Sequence, residues 1–233
     1  MTMRAPTQLP LSLPHAPQYG RDAFISGPSN AAALRMLDSW PDGSSPLAVL
    51  SGPSGSGKTH LVHIWAERTG AAIVSAASLD REPLAEAGRA LVVEDLQPVL
   101  IRAAALFHLI NSIREQGGAL LLTSRWPVED WQVALPDLRS RLRMATPITL
   151  GAPDDDLLRK ALVKLFSDRQ LVVEKPLIDY MLLRMERSLA AAIRLVEALD
   201  REALAAGRDI TRQMAARLLS PDTGLLEAFA DRQ

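Results

Sequence analysis

Eight residues in the first third of the chain have the types and spacing of a phosphate-binding loop. Residues 52–59 read GPSGSGKT, a complete match to G-x-x-x-x-G-K-[ST]. Glycines let the backbone wrap a phosphate with its N–H groups pointing inward, and the start of a following helix adds partial positive charge. We expect Lys58 to reach the β- and γ-phosphates and the Thr59 hydroxyl to bind Mg²⁺. The cradle itself would consist of Gly52, Ser54, Gly55 and Gly57.

Two acidic residues follow an apolar run. A Mg²⁺ ion bound beside a phosphate loop needs a carboxylate at the end of a neighbouring strand, which is the place these residues occupy. Residues 90–97 read ALVVEDLQ, so Glu94 and Asp95 come at the end of a predicted strand. One of the two acids would hold Mg²⁺ through water and the other could polarise the attacking water, so both are candidate catalytic residues, and Glu94 is assigned to the Mg²⁺ site together with Thr59. The alternative is a pair of acids that merely ends a strand.

Two histidines follow the loop at a spacing that zinc could use. His60 and His63 stand three residues apart, but the sequence has no HExxH motif and no third ligand nearby. Ordinary packing of the helix is the favoured interpretation.

The elements around the loop predict an α/β fold. Short, continuous apolar runs typical of buried parallel strands occupy residues 47–51, 71–76, 89–94, 119–124 and 147–150. Helical periodicity occupies residues 29–40, 58–69, 100–116 and 137–143, with Ser29 and Asn30 as capping candidates. This alternation predicts a five-stranded parallel sheet covered by helices.

The chain divides into three predicted regions. Residues 1–20 form a proline-rich leader, residues 21–151 the α/β domain, and residues 152–233 a small all-helical domain. The acidic run at residues 154–156 is interpreted as a helix cap rather than a metal site, because carboxylates favour helix N-termini.

Composition limits the classes of function. The chain has no cysteine, which excludes disulfides and thiolate metal sites and fits a reducing cytosol. Its formal net charge of −1 gives no overall attraction to nucleic acid. No apolar run approaches the roughly 20 residues that a membrane span needs. We therefore expect a cytoplasmic protein with no membrane partner.

Several segments in order along nearly the whole chain resemble the AAA+ ATPases of the DnaA initiator family. Residues 19–30, YGRDAFISGPSN, are similar to the family's adenine-contacting segment, which implies roles for Ile25 and Asn30. Residues 135–142, LPDLRSRL, resemble its arginine-finger segment and imply that Arg141 is the finger, with Arg139 beside it. Residues 185–199, MERSLAAAIRLVEAL, resemble the nucleotide-sensing helix of its lid and imply that Arg187 contacts the nucleotide.

The chain departs from the family pattern at three places. Glu94 replaces the usual aspartate, and Arg125 stands at a normally acidic position after a strand, unless Thr123 or Ser124 serves there. These changes imply weak ATP hydrolysis by the chain itself. Third, we expect no helix-turn-helix DNA-binding domain after the lid, which excludes a full initiator.

The leader contains Gln8-Leu9-Pro10-Leu11-Ser12-Leu13, which resembles a sliding-clamp-binding peptide. In an extended peptide, Leu9, Leu11 and Leu13 would enter an apolar groove while Gln8 makes polar contacts at its rim. A disordered leader without a partner is the alternative.

The resemblance implies a DnaA-related regulator that holds ATP or ADP with Mg²⁺. It would bind the DNA polymerase sliding clamp, and DNA through the clamp, and promote ATP hydrolysis on DnaA, which lowers initiation. Arg141 would act on DnaA or on another copy of the chain in a homo-oligomer. The alternatives are an independent AAA+ motor or helicase-loader-like protein, a P-loop kinase, and an adaptor without hydrolysis.

Overall fold

The computed structural model describes residues 19–43, 45–79, 89–98 and 102–220. The predicted clamp-peptide residues Gln8, Leu9, Leu11 and Leu13 lie outside this part of the chain. The described residues fall into two compact units, the first made of residues 19–157 with 188–190 and the second of residues 158–187 with 191–220.

A five-stranded sheet forms the centre of the first unit. Its strands are β1 (Leu47–Ser51), β2 (Ala72–Ser75), β3 (Ala90–Leu96), β4 (Ala119–Ser124) and β5 (Thr146–Thr149). They are arranged in the order β2-β3-β4-β1-β5, and each pair is parallel. The predicted five-stranded parallel sheet is therefore confirmed, and β1 lies between β4 and β5.

Helices cover both faces of this sheet: α1 (Ala31–Ser39), α2 (Lys58–Thr69), α3 (Ala103–Glu115) and α4 (Pro136–Arg143). Successive residues of a strand point to opposite faces. Leu47 and Val49 of β1 accordingly pack in one apolar cluster with α3 and α4. Ala48 and Leu50 pack in the other cluster with α1 and α2. Because both faces are covered, the strands read as continuous apolar runs.

Every described element after β5 is a helix: α5 (Asp155–Asp168), α6 (Lys175–Leu182), α7 (Leu189–Ala206) and α8 (Arg212–Leu218). The backbone N–H of Leu157 donates a 2.8 Å hydrogen bond to Asp154 Oδ1, so the acidic run caps α5 as predicted. No helix in the described part of the chain is long and apolar enough to cross a membrane.

Candidate nucleotide-binding site

The loop between β1 and α2 has a backbone that only glycine fits at several positions. Gly55 and Gly57 have φ values of +68° and +103°, in the region that side chains disfavour. A Cβ atom on Gly52 would lie 2.4 Å from the carbonyl oxygen of Leu150, and one on Gly55 would lie 2.7 Å from Cβ of Ser188. Of the two glycines that define the motif, Gly52 is thus required by close packing and Gly57 by its backbone conformation.

Lys58 is held inside the loop that it follows. Its Nζ atom donates hydrogen bonds to the carbonyl oxygens of Gly52 at 2.8 Å and Pro53 at 2.9 Å. The side chain is 8 % exposed, and this burial lowers the pKa of the ammonium group. Lys58 is also the first residue of α2, so the helix N-terminus and the lysine charge act at the same place.

Ser56 is a loop residue that the sequence analysis did not single out. Its hydroxyl is buried and has no hydrogen-bond partner within the described ranges. A buried hydroxyl without a partner costs free energy that a phosphate oxygen would recover. The motif leaves this position open to any residue, so no sequence signal identified it. The unpartnered hydroxyl, the glycine cradle and the buried lysine together fit a phosphate group.

The acid pair lies on a bulge of β3. The pairing of β3 with β4 shifts register between Val93 and Leu96, and Asp95 has a φ of +58°. Its backbone N–H donates a 3.0 Å hydrogen bond to Oγ1 of Thr123 on β4. The bulge places Asp95 in solvent and leaves Glu94 half-buried.

Glu94 and Thr59, the predicted metal pair, are brought together. Burial raises the pKa of the Glu94 carboxyl, and a hydrogen bond from Thr59 opposes that shift, as do the charges of His63 and Lys58. A carboxylate and a hydroxyl are both oxygen ligands suited to Mg²⁺. No cluster of three or more His, Cys, Asp or Glu side chains that could hold a metal occurs in the described ranges.

The two histidines of α2 pack against Tyr19. The His63 ring stacks on Tyr19 with centroids 4.3 Å apart, and Nε2 of His60 lies 3.0 Å from the carbonyl oxygen of Gly20. These contacts attach the start of the first unit to the helix that follows the loop.

The end of β4 carries Thr123, Ser124 and Arg125, the three residues considered above for the normally acidic position after a strand. Thr123 and Ser124 are fully buried, and their hydroxyls accept hydrogen bonds from the backbone N–H groups of Asp95 and Trp126. Arg125 is exposed. Of the three side chains, Arg125 is therefore the one that reaches solvent.

The side chain of Asn30 does not cap the following helix in the way that the sequence predicted. It occupies the position before α1, but its side chain makes no capping hydrogen bond. Instead Oδ1 accepts from the N–H of Gly27 at 2.8 Å, and Nδ2 donates to the carbonyl oxygen of Ile25 at 2.9 Å. The buried amide thus fixes the shape of the loop that contains Ile25.

The two remaining predicted site arginines lie on other elements. Arg141 is a half-buried residue of α4, a helix anchored by the buried Leu138 and Leu142, while Arg139 on the same helix is exposed. Arg187 belongs to the second unit, directly before Ser188.

The parallel sheet and the glycine-lysine loop define a P-loop fold of the AAA+ type. Domain III of the replication initiation protein DnaA from Thermotoga maritima is similar, with a TM-score of 0.75, 19% identity, and coverage of 90% of this chain and 98% of that one. DnaA from Aquifex aeolicus bound to AMPPCP has a TM-score of 0.65 and 20% identity, covering 80% of this chain and 68% of that one.

A second kind of protein has a similar fold. The RuvB Holliday junction branch migration motor of Thermotoga maritima has a TM-score of 0.65 and 19% identity, with coverage of 86% of this chain and 70% of that one. No protein-family model matches the sequence. At these identities, the similarity establishes the AAA+ fold.

Proposed function

We propose that this chain is an Hda-like, nucleotide-bound AAA+ regulator of chromosomal replication initiation. It would bind the sliding clamp and promote hydrolysis of ATP on DnaA, which makes it a negative regulator. The observation that best supports nucleotide binding is the glycine loop with Lys58 held at its carbonyl oxygens. The AAA+ fold that the chain shares with DnaA supports the choice of partner.

In this proposal, ATP or ADP binds to the first unit through its phosphates. The loop N–H groups, Lys58 and the Ser56 hydroxyl would contact the phosphate oxygens. Thr59 and Glu94 would hold Mg²⁺, which offsets phosphate charge when it is bound. Residues 21–151 act as the nucleotide-binding domain, with Ile25 and Asn30 near the adenine. Residues 152–233 act as the helical lid that carries Arg187.

Weak hydrolysis by the chain itself follows from its acids. Glu94 is half-buried and one methylene longer than the aspartate that is usual in the family it resembles. Asp95, the other candidate catalytic acid, lies exposed on the bulge. Both features favour a chain that keeps its nucleotide rather than turning it over rapidly.

Stimulation in trans would depend on Arg141. An arginine supplied by one protein to the γ-phosphate on another increases hydrolysis by about 10³–10⁵. Arg141 is half-buried on a helix anchored by Leu138 and Leu142, which fix the position of its backbone. DnaA is the proposed target, and a second copy of this chain is the alternative.

The clamp contact would come from Gln8, Leu9, Leu11 and Leu13, on the strength of their sequence pattern alone. It would place the protein at the replisome in the cytoplasm, with DNA contacted through the clamp.

The test is phosphate release from ATP-loaded DnaA, with and without this chain and a DNA-loaded clamp. We expect little release from the chain alone and stimulated release only when all components are present. Arg141→Ala should abolish the stimulation, while the matched variant Arg139→Ala should retain most of it because Arg139 stands on another face of α4. Equal activity of the two variants would remove Arg141 from the proposed role.

A second candidate, an independent motor, is favoured by the similarity of the fold to the RuvB branch migration motor. A motor hydrolyses ATP by itself. Phosphate release by the purified chain that DnaA does not increase would support the motor and overturn the regulator.

A further inference from the structure

Two arginines of the second unit lie against the ring of one tyrosine. Tyr180 is a half-buried residue of α6, and the Cζ atom of Arg184, just after that helix, lies 4.0 Å from the centre of its ring. The Cζ atom of Arg212, the first residue of α8, lies 4.5 Å from the same centre. Arg184 also donates a 3.4 Å hydrogen bond to the carbonyl oxygen of Tyr180. We call these three residues the arginine-tyrosine cluster.

The cluster holds two positive charges close together at the surface. Both arginines are exposed, and neither forms an ion pair with a carboxylate of the described residues. Since both Cζ atoms are measured from one ring centre, they are at most 8.5 Å apart. Stacking on an aromatic ring restrains a guanidinium group and so reduces the entropy that it loses on binding an anion. The cluster is therefore suited to a ligand with closely spaced negative charges.

The second unit carries an excess of positive charge, although the chain as a whole does not. Residues 158–187 and 191–220 contain twelve Lys or Arg and eight Asp or Glu, a formal charge of +4, against −1 for the entire chain. Six of the eight acids form ion pairs inside the unit: Asp168, Asp179, Glu186, Glu197, Asp200 and Glu202. The remaining positive charge attracts polyanions to this unit.

We propose that the arginine-tyrosine cluster binds the phosphate backbone of nucleic acid directly. One strand of a duplex presents a negative charge about every 3.4 Å along the helix axis, so two guanidinium groups at this spacing face neighbouring phosphates of one strand. Each guanidinium group can donate two parallel hydrogen bonds to phosphate oxygens. The contact goes beyond the proposed function, in which DNA is reached only through the clamp.

The test is binding of a short fluorescein-labelled DNA duplex to the purified chain, measured by anisotropy in a salt titration. The wild type should bind with a Kd of about 10⁻⁴–10⁻⁶ M at physiological salt, and the logarithm of its affinity should fall linearly with the logarithm of salt concentration. Arg184→Gln and Arg212→Gln should each weaken binding by about threefold or more and reduce this slope by about 0.9, the value of one phosphate contact. Arg184→Lys should keep the slope, because the charge remains.

Arg201→Gln is the matched control. It removes the same charge from an exposed arginine of the same unit, whose Nε atom donates to the carbonyl oxygen of Glu197. It should change the affinity by less than about twofold and leave the slope unchanged.

An equal loss for Arg201→Gln and the two cluster variants would overturn the inference, because binding would then follow the charge of the whole unit. A wild type that does not bind the duplex would also overturn it. Polyglutamate that displaces the duplex at equal concentration of charge would overturn it in favour of an acidic protein partner. Because the assay contains no DnaA, clamp or nucleotide, each of these outcomes leaves the proposed function in place.

Discussion

Gly55 meets two separate steric demands at the scale of a single residue. Its backbone lies in the left-handed region, and a Cβ atom there would come within 2.7 Å of Ser188. Gly43 meets only the first demand, because its φ is +88° but nothing lies within 4 Å of the Cβ position. Comparing substitutions at these two glycines therefore separates the cost of backbone strain from the cost of overpacking.

We expect Gly55→Ala to lower the free energy of unfolding by about 2–4 kcal/mol, the sum of the left-handed cost and overpacking. Gly43→Ala should lower it by only about 1–2 kcal/mol, from backbone strain. Urea denaturation of both variants measures the difference. Equal losses would mean that Ser188 moves aside without cost.

Glu94 gives the stability of the protein a pH dependence of predictable sign. Because burial raises its pKa above the ordinary value of 4.5, the folded chain binds the proton more tightly than the unfolded chain does. The contribution of Glu94 to stability is present below pH 4.5 and is lost as pH rises through the folded pKa. Relative to the wild type, Glu94→Gln should therefore gain free energy of unfolding as pH rises through this window.

Asp154 provides the contrasting control. Its hydrogen bond from the Leu157 N–H lowers the pKa of its carboxyl below 3.8, so its contribution is present above that pH and lost as pH falls through the folded pKa. Asp154→Asn retains a capping side chain and removes that titration. Chemical denaturation between pH 3 and 8 compares the variants with the wild type, and a Glu94→Gln difference that does not change with pH would contradict the assignment.

At the scale of elements, one hydroxyl stabilises the bulge that carries the acids. Thr123 on β4 is 1 % exposed, and its Oγ1 accepts from the Asp95 N–H of β3. The bulge has lost the regular ladder at this point, so the side chain replaces a backbone acceptor.

Thr123→Val should therefore cost about 1–3 kcal/mol of unfolding free energy, because it leaves a backbone N–H without a partner. Thr69→Val is the matched control. The Thr69 hydroxyl donates to the carbonyl oxygen of Trp65 at the end of α2, where the residue is half-buried and water can replace the bond. Thermal or urea unfolding of both variants measures the costs, and similar values would show that the bulge does not depend on Thr123.

At the scale of the whole molecule, clamp binding and nucleotide binding should separate. The triple variant Gln8→Ala/Leu11→Ala/Leu13→Ala should lose at least about tenfold in clamp affinity, since anchor side chains carry most of the energy of such a contact. Its nucleotide affinity should not change. Lys58→Ala should do the reverse, losing nucleotide and keeping the clamp.

Surface-immobilised clamp and a fluorescent nucleotide measure the two affinities on the same protein samples. Retention of clamp binding by the triple variant would leave the row of leucines without the proposed role.

The sequence predicted the sheet and the loop because both depend on local signals. Continuous apolar runs identified the five strands, and the run at 119–124 matches β4 residue for residue. The features that escaped prediction depend on contacts between distant residues. The pattern ended the third strand at Glu94, whereas β3 continues to Leu96 because Thr123, 28 residues away, accepts from the bulge. The role of Asn30 escaped prediction for a local reason, because its amide bonds to Ile25 and Gly27 in the preceding loop rather than to the helix that it precedes.

The strand order also fixes when the phosphate loop is completed during synthesis. β1 and the loop are made early, but their neighbours β4 and β5 come much later, and Gly52 packs directly on Leu150. About a hundred residues separate Gly52 from Leu150, and a ribosome adds about 5–20 residues each second. For about 5–20 seconds the nascent chain therefore carries the loop without the neighbouring strands β4 and β5. A nucleotide bound as proposed would therefore stabilise the fold only after β5 has been synthesised.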